Sequence, residues 1–550
     1  MTSPFEEGSP SSPICLIGEA PSGEEIKKGQ PFVGPAGGVL DRCLMSAGID
    51  RSQCYITNVF EERVTKDVQG NIYKEGQLVW HRDRGLTEAG KVASQGALSR
   101  VNACRANVLV PLGGTALSLF RPTTQIGKWR GSILEWEGRK VVPAYHPATV
   151  CWGSTHLQHV IATDLGRVKE QSLFTDMRRR PRAMVLNPSL AQCLAALRDL
   201  RKARRRTFFD LELFGGQLSA ISFSNNPEWA ISIPFITAER RHRWSEEEEL
   251  QIIRAIAGLL GDPEVPKGNQ NVTFDVHILA KLYGMIVRGR LDDPMVLHSI
   301  ALPDLEKSLA FQCSWLTDVP YYKDDGGKRA WEDPFRNIEA FWRYSALDSC
   351  VALECFEELE KQFLGEGSSY RKTYEETMEL VEPLTFMMLR GQKMDVAGLR
   401  KERARVEKRL EELRVKLREM HPDMGPRKLP KGAPVGFNPE SPKQCLELFY
   451  GKLGFEPYLS KGKPTSDVFA MRRLVRKGCW EAKAVLVIRS LSKQLTYLGL
   501  SAGDGRFYTA YNIRGTKTGR LSAEENEFEE GGNGQNLTST IKAFLVSDEV

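Results

Sequence analysis

Thr207-Phe-Phe-Asp-Leu-Glu-Leu213, followed closely by Leu218-Ser-Ala-Ile-Ser-Phe223, is the stretch on which the reading of this 550-residue chain turns. Its aromatic and β-branched residues, split by the Gly215-Gly216 turn, predict a pair of strands. Asp210 and Glu212 stand two residues apart, so on a strand both carboxylates project from one face, as shared metal coordination requires. Phe208, Phe209, Leu211 and Leu213 make that strand largely buried, and a buried pair of acids is costly unless a cation neutralises it. Taken alone, the pattern also fits two solvated acids on an exposed strand face.

Upstream, the chain reads as a strand from Met184 and a helix over Ser189 to Ala203. Before these lies the basic run Met177-Arg-Arg-Arg-Pro-Arg-Ala183, which cannot continue a helix through Pro181. It reads as a solvated linker or as a phosphate contact. Downstream come Asn271-Val-Thr-Phe-Asp275, leading into an apolar helix, and Tyr344-Ser-Ala-Leu-Asp348, entering another around Val351 to Leu359. In this order the three acidic fragments resemble the DEDD-type 3′–5′ exonuclease domain of the bacterial DNA polymerase I family. Leu302-Pro-Asp-Leu-Glu-Lys-Ser-Leu309 and Tyr321-Tyr-Lys-Asp-Asp-Gly326 fit the same family. The resemblance implies a ribonuclease H-like fold and two metal ions, Mg²⁺ or Mn²⁺. Asp210, Glu212 and Asp348 would hold the first ion, and Asp275 with bridging Asp210 the second. Hard carboxylate ligands suit the in-line attack of water on a terminal phosphodiester. Tyr344 would orient that water, and Asn271 would steady the site and the DNA strand.

Toward the C-terminus, Met378 to Gly391 and Phe437-Asn-Pro-Glu-Ser-Pro-Lys-Gln444 look like the thumb-entry segments of family A DNA polymerases. Gly515-Thr-Lys-Thr-Gly-Arg-Leu-Ser522, with Asp504-Gly-Arg506 before it and Gln535-Asn-Leu537 after it, is similar to the stretch that lies along primer–template DNA there. That resemblance implies DNA contacts by Thr516, Arg520, Gln535 and Asn536. Helices are expected over Tyr374 to Leu389 and Val396 to Met420, the second with Val396, Leu399, Val406, Leu410, Leu413 and Leu417 near one face. Neither acidic palm motif of the family precedes Val550. The expectation is that a second polypeptide carries palm and fingers, or that the sequence is a truncated product. Phe544-Leu-Val546 is expected to offer an unpaired sheet edge to such a partner.

At the other end, Gly18-Glu-Ala-Pro-Ser-Gly-Glu-Glu25, Gly29-Gln-Pro-Phe-Val-Gly-Pro-Ala-Gly37, Tyr55-Ile-Thr-Asn-Val59 and Pro143-Ala-Tyr-His-Pro147 resemble the motifs of family 4 uracil-DNA glycosylases. The resemblance implies a base pocket in which Phe32 stacks on uracil and Asn58 reads its edge. His146 would donate to O2, while Glu19 and Glu25 would place or polarise a water. Ser22 and Ala148 stand where the family usually has glycine and serine, and Phe60-Glu-Glu-Arg-Val64 replaces its cysteine-containing loop. The cysteines that hold the family's iron–sulfur cluster have no counterpart before Gly18, so no cluster is expected. Cys15, Cys54, Cys104 and Cys151 read as small buried hydrophobes.

Composition bounds the rest. With 41% hydrophobic and 27% charged residues the chain suits several ordinary globular cores. A net charge of +6, from 76 Lys+Arg against 70 Asp+Glu, is too small to announce a nucleic-acid binder, so charge must be read locally. The 11 cysteines include no C-x-x-C pair, which excludes a zinc ribbon and leaves reduced thiols as the expectation. No apolar run spans a bilayer, and Met1 to Ser12 lacks a signal-peptide core, so no membrane partner and a cytoplasmic location are expected, host cytoplasm if the gene is viral. The histidines His156, His277 and His298 fall near no metal-ligand spacing.

The fold class expected is a multidomain α/β protein. It would comprise a glycosylase-like domain over 1–172, a basic linker over 173–183, an exonuclease domain over 184–365, and a helical thumb with an incomplete palm over 366–550. The function expected is removal of mismatched 3′ nucleotides from primer–template or single-stranded 3′ ends in DNA replication. The alternatives are a uracil-repair enzyme with an end-trimming nuclease, and a noncatalytic DNA-binding scaffold.

Overall fold

The computed structural model describes residues 3–323, 333–424, 436–460, 462–499 and 503–548. Chain contacts divide it into two compact units, residues 1–381 with 516–520, and residues 382–515 with 521–550.

The first unit holds two six-stranded sheets. In the first sheet, β1 (Glu6–Glu7), β2 (Ile14–Gly18), β3 (Cys54–Asn58), β4 (Val108–Pro111), β5 (Leu134–Trp136) and β6 (Arg139–Val141) lie in the order β1-β3-β2-β4-β6-β5. The central strands β3, β2, β4 and β6 run parallel. Strands β2 and β4 are continuous apolar runs because both faces of the sheet are covered: Leu16, Ile56 and Val110 pack into one core, Cys15, Tyr55 and Leu109 into another. Helices α1 (Gly23–Lys28), α2 (Pro35–Ser46) and α3 (Leu157–Ser172) belong to this layer.

The second sheet comprises β7 (Ala183–Val185), β8 (Thr207–Phe214), β9 (Gln217–Asn226), β10 (Trp229–Pro234), β11 (Lys267–Gly268) and β12 (Leu291–Asp292), in the order β7-β10-β9-β8-β11-β12. The strand pair expected from Thr207 and Leu218 is β8 and β9, antiparallel, with a bulge between Glu212 and Leu213. Helix α4 (Leu190–Ala203) starts where Ser189 and Gln192 form a reciprocal capping box, and buries Cys193, Leu197 and Leu200 along one face. Four more helices complete the layer: α5 (Glu246–Leu260), α6 (Val272–Tyr283), α7 (Pro294–Ala301) and α8 (Leu309–Leu316). The long helix α9 (Ile338–Phe363) then crosses β8, β9 and β10. It begins well before Val351, so Tyr344 and Asp348 sit inside it, one turn apart.

These two sheets share one unit because α8 packs against α3. Arg130, 1% exposed, is held by Asp164 of α3 and donates to Ser314 Oγ at 2.9 Å. The left-handed Gly131 lets the chains close, since a Cβ there would lie 2.6 Å from the Ser314 carbonyl oxygen. The basic run is a clamp rather than a solvated linker. Arg182, 8% exposed, is paired with Glu354 and, at 3.1 Å, with Asp318, and Arg180 lies 3.6 Å from Glu354. These guanidinium groups are occupied within the protein instead of reaching for phosphate.

His298 of α7 is fully buried, edge-on to Phe311 and Trp315 of α8 at 5.8 Å from each. Among the described residues neither ring nitrogen has a hydrogen-bond partner. Burial lowers its pKa from 6.5 to about 4. Above pH 6.5 the folded and unfolded imidazoles are both neutral. Below it the unfolded chain takes up a proton that the folded chain refuses, so stability falls as pH drops from 6.5 to about 4, by up to about 3 kcal/mol. Urea titrations at pH 7.5 and 5 are expected to show this loss in the wild type and not in His298→Phe.

In the second unit, α12 (Val396–Met420) lies along α14 (Trp480–Leu498), which α13 (Val468–Arg476) also contacts. The predicted apolar face of α12 is the buried one, with Leu410, Leu413 and Leu417 packed on Leu474, Val485 and Ile488. The single helix expected over Tyr374 to Leu389 is instead two, α10 (Tyr370–Met378) and α11 (Val381–Arg390). Pro383 explains the break, because it lacks an N–H and clashes with a preceding helical turn. Helix α10 stays with the first unit, where the buried Tyr374 hydroxyl accepts from the Asp293 N–H at 3.0 Å, and the contact boundary falls at Val381 rather than at 366. The expected free edge at Phe544–Val546 is also corrected. Leu545 bridges Met394, the Asp395 N–H donates to Phe544 O at 2.8 Å, and the Val546 N–H donates to Lys393 O at 3.0 Å. The segment satisfies its backbone groups within its own unit.

Candidate active site

Strand β8 carries Asp210 and Glu212 on one face and α9 carries Asp348 opposite. One carboxylate oxygen from each of the three lies within 4.8 Å of the others. The bulge after Glu212 is the kind of local irregularity that re-aims a side chain beside a site. Asp275, in the first turn of α6, is buried, with the Asn269 side chain and the Leu211 backbone near enough to favour its charged form. Asn269 also donates to Asp210 Oδ1 at 3.5 Å.

Four acids this close repel one another. Burial, and then the charge of Asp348, push Asp210 up to about 8. Glu212 is raised by burial and by Asp210, and Asp275 by burial and by Asp210. The cation at hand is Lys323, which reaches Asp348 Oδ2 and donates to Tyr344 Oη at 2.5 Å. Burial by itself would lower the Lys323 pKa, but Asp348, Asp210 and Glu212 outweigh it and raise it. Tyr322 donates to the other oxygen, Asp348 Oδ1, and Tyr344 is raised by burial and then by Asp348. Among the described residues a single ammonium faces these carboxylates, too little charge to balance them. Hard oxygen donors at this spacing fit a divalent metal ion.

Of the residues expected here, the structure brings Asp210, Glu212, Asp275, Tyr344 and Asp348 together. Asn271 is the N-cap residue of α6, with no side-chain capping hydrogen bond. It stands in the left-handed region, φ 63°, at the N-terminus of α6, where the buried Asp293 carboxylate accepts from Val272 N–H at 3.0 Å. The amide that touches the carboxylates is Asn269. Sequence reasoning missed Asn269, Tyr322 and Lys323 as site residues. The run from Tyr321 belongs to the expected family pattern, and it is described only as far as Lys323.

A second group of expected residues gathers at the C-terminal ends of β2 and β3. Asn58, 2% exposed, pairs in register with Gly18, and the Phe32 ring lies 5.8 Å from His146. Phe32 is strained, at φ 51°. Arg51 holds its loop by donating to Pro31 O at 2.8 Å and to Phe32 O at 3.4 Å, while pairing with Glu7 and Asp41. His146 Nδ1 accepts from the Ala148 N–H at 3.2 Å, which leaves Nε2 to carry the proton of a neutral ring. Burial lowers the His146 pKa and keeps that ring neutral.

Glu19 is engaged by the Thr115 hydroxyl at 2.8 Å and by Lys66 at 2.7 Å. Lys66, from the small antiparallel sheet after the loop Phe60–Val64, carries no signal in the sequence that would mark it for this group. Glu25 closes a capping box with Ser22, so its carboxylate is used at the start of α1. Of the four cysteines expected to be buried hydrophobes, Cys151 is exposed, at the end of a short surface helix. Cys104 is more than a hydrophobe: a hydrogen bond with Cys15, helped by Arg139 at 3.2 Å, lowers its pKa to about 5.

Gly18 is what lets this group close up. A Cβ there would lie 2.2 Å from Asn58 Oδ1 and 2.8 Å from Phe32 Cζ. Gly18→Ala is therefore expected to destabilise the first unit by about 1–3 kcal/mol, the cost of overpacking a filled site. Urea unfolding of the two proteins measures it.

In the C-terminal part, the Thr516 hydroxyl donates to Arg520 O at 2.9 Å and closes a local turn whose Arg520 side chain is exposed. Gln535 and Asn536 lie on an exposed 3-10 turn, with Gln535 donating to Leu521 O at 3.1 Å.

Comparison with known proteins adds three findings. Residues 5–163 match the family described as uracil DNA glycosylase superfamily, and residues 210–364 match that described as 3′-5′ exonuclease, of the DNA polymerase A type. The type-4 uracil-DNA glycosylase of Thermotoga maritima is 31% identical over 167 residues, which are 30% of this chain and 79% of that protein. The DNA polymerase I of Chloroflexus aurantiacus is 27% identical over 290 residues, 50% of this chain, and the chain spans only 29% of that polymerase. The solved POL domain of Pol1 from M. smegmatis, in complex with DNA primer-template and dNTP, aligns with 67% of this chain and 59% of that one, at 20% identity and a TM-score of 0.47.

Proposed function

Because the chain belongs to the uracil-DNA glycosylase superfamily through residues 5–163, and carries a 3′–5′ exonuclease domain over residues 210–364, we propose that it serves DNA replication by trimming mismatched 3′ ends. The observation that carries this reading is the convergence of Asp210, Glu212 and Asp348 within 4.8 Å, with Asp275 beside them. Asp210, Glu212, Asp348 and Asp275 would hold two Mg²⁺ or Mn²⁺ ions. Such ions supply Lewis-acid charge for attack of water on the terminal phosphodiester. The chain's own groups prepare the site. Asn269 orients Asp210, Lys323 and Tyr322 fix both oxygens of Asp348, and Tyr344 presents a protonated hydroxyl where water would be oriented.

The DNA is a primer–template or a frayed single-stranded 3′ end, with Asn271 near the strand and Thr516, Arg520, Gln535 and Asn536 as contacts in the polymerase-like part. The pocket of Phe32, Asn58 and His146 receives an extruded uracil, with the neutral His146 donating from Nε2 to O2. Among the described residues no helix is long and apolar enough to cross a membrane, and the cytoplasm, where DNA is copied, is the proposed location.

The test is digestion of a 5′-labelled, 3′-mismatched primer–template. Stepwise shortening from the 3′ end is expected in Mg²⁺ and not in EDTA. With dNTPs, extension is expected only when palm and fingers are supplied, whether by a second polypeptide or by a longer form of this chain. Absence of shortening in either metal would overturn the nuclease reading in favour of a DNA-binding scaffold.

A further inference from the structure

The groups that hold Asp348 and Tyr344 do not come from the carboxylate-bearing strand or helix. They come from the end of one continuous segment, Leu309–Lys323, which is also fastened to the glycosylase-like part of the same unit. Helix α8 opens the segment. Its C-terminal turn presents carbonyls, which carry the negative end of the helix dipole and need donors. Arg167 of α3 supplies them, donating to Ser314 O at 2.6 Å and to Thr317 O. Arg130 donates to Ser314 Oγ at 2.9 Å and lies over the Phe311 ring at 4.7 Å. Further along, the Tyr321 N–H donates to the buried Ser132 Oγ at 3.2 Å, and the Tyr321 ring meets Trp129 edge-on at 5.3 Å. The next two residues are Tyr322 and Lys323, which grip the two oxygens of Asp348, and Lys323 also holds Tyr344.

We propose that the glycosylase-like part is a structural component of the exonuclease site, anchoring the segment Leu309–Lys323 so that Tyr322 and Lys323 position Asp348 and Tyr344. The inference rests on the reading of Asp210, Glu212, Asp275 and Asp348 as a nuclease site. In it Tyr322 and Lys323 are positioning residues, and Arg167, Ser132 and Trp129 act through them. A displacement of about 1 Å at a reacting centre is enough to cost about a hundredfold in rate. The anchors are hydrogen bonds to backbone atoms at both ends of the turn between α8 and Lys323. Loosening one of them therefore shifts Lys323 without touching a carboxylate.

The experiment is single-turnover digestion of a 5′-labelled single strand in saturating Mg²⁺ by the full chain, with rate and half-saturating protein concentration read separately. Lys323→Met is expected to slow the step about thirtyfold and Arg167→Met about tenfold, each with half-saturation within about twofold of wild type. Lys323→Arg is expected to recover part of the rate. The deciding variant is the double Arg167→Met/Lys323→Met. If Arg167 acts through Lys323, the double is no slower than Lys323→Met alone, whereas independent effects would multiply. Ser132→Ala, which removes only the acceptor for the Tyr321 N–H, is expected to lose about threefold and serves if Arg167→Met fails to fold. Wild-type rates in folded Arg167→Met or Ser132→Ala overturn the proposal, and so do multiplied losses in the double. Asp210→Ala separates the two levels: full activity there would remove the nuclease reading itself, whatever the anchors do.

Discussion

Asp210→Ala is expected to lower 3′-terminal digestion by at least about a thousandfold in kcat/KM while making the metal-free protein more heat-stable. Asp210 is the acid at the centre of the cluster. One oxygen from each of Asp210, Glu212 and Asp348 lies within 4.8 Å of the others, the Asp210 charge raises both Glu212 and Asp275, and Asn269 is aimed at it. Removing it deletes the ligand that two ions would share. It also removes a buried carboxylate that burial and Asp348 push up to about 8, and is therefore disfavoured in the folded state at neutral pH. Activity and stability should move in opposite directions, as at sites where strain serves function. Asp210→Asn, which keeps the shape and loses the charge, should be nearly as inactive. Digestion of a labelled strand and thermal unfolding in EDTA measure the two effects. A variant that digests normally, or one that unfolds earlier than wild type, contradicts this account.

Arg130→Met is expected to destabilise the first unit by about 3–5 kcal/mol, the cost of leaving a buried charge without its partner. Arg130 is 1% exposed and Asp164 is fully buried, with Nε 3.0 and 2.9 Å from the two carboxylate oxygens. Burial raises the Asp164 pKa even with the guanidinium present, so without it the carboxylate has to take a proton or admit water. The Ser314 hydroxyl also loses its donor, and the packing over Phe311 goes with it. Because replacing a whole buried pair by apolar residues is often neutral, Arg130→Met/Asp164→Leu should recover most of the loss. Urea unfolding of the wild type and both variants checks this. Equal losses in the single and the double would assign the effect to packing rather than to the orphaned charge.

Much of the nuclease site was legible along the chain because its carriers are local patterns. Asp210 and Glu212 share a face by the two-residue period of β8, whereas the helix that carries Tyr344 and Asp348 starts earlier than its apolar run announced. The buried stripe of α12 and the capping box of α4 are equally local. The families named by resemblance are the ones whose descriptions match residues 5–163 and 210–364. The base-pocket residues Phe32, Asn58 and His146 also converge, but what locks them is remote in sequence: Arg51 holding the strained Phe32 loop, and Gly18 yielding the space.

What tertiary structure alone decided is who partners whom across long stretches of chain. Arg182 reads as a linker charge until Asp318 and Glu354 arrive beside it. Phe544–Val546 reads as a free edge until residues 393–395 are folded against it. Lys323 lies in the run quoted from Tyr321, but its role at the site exists only because the segment from α8 is held at one end by Arg167 and Ser132 and meets Asp348 at the other. Secondary structure and side-chain facing follow from steric and apolar preferences within a few residues, so a sequence carries them openly. Ion pairs and hydrogen bonds between distant residues depend on loop closures whose free energy is set by the whole fold, and no local pattern records them.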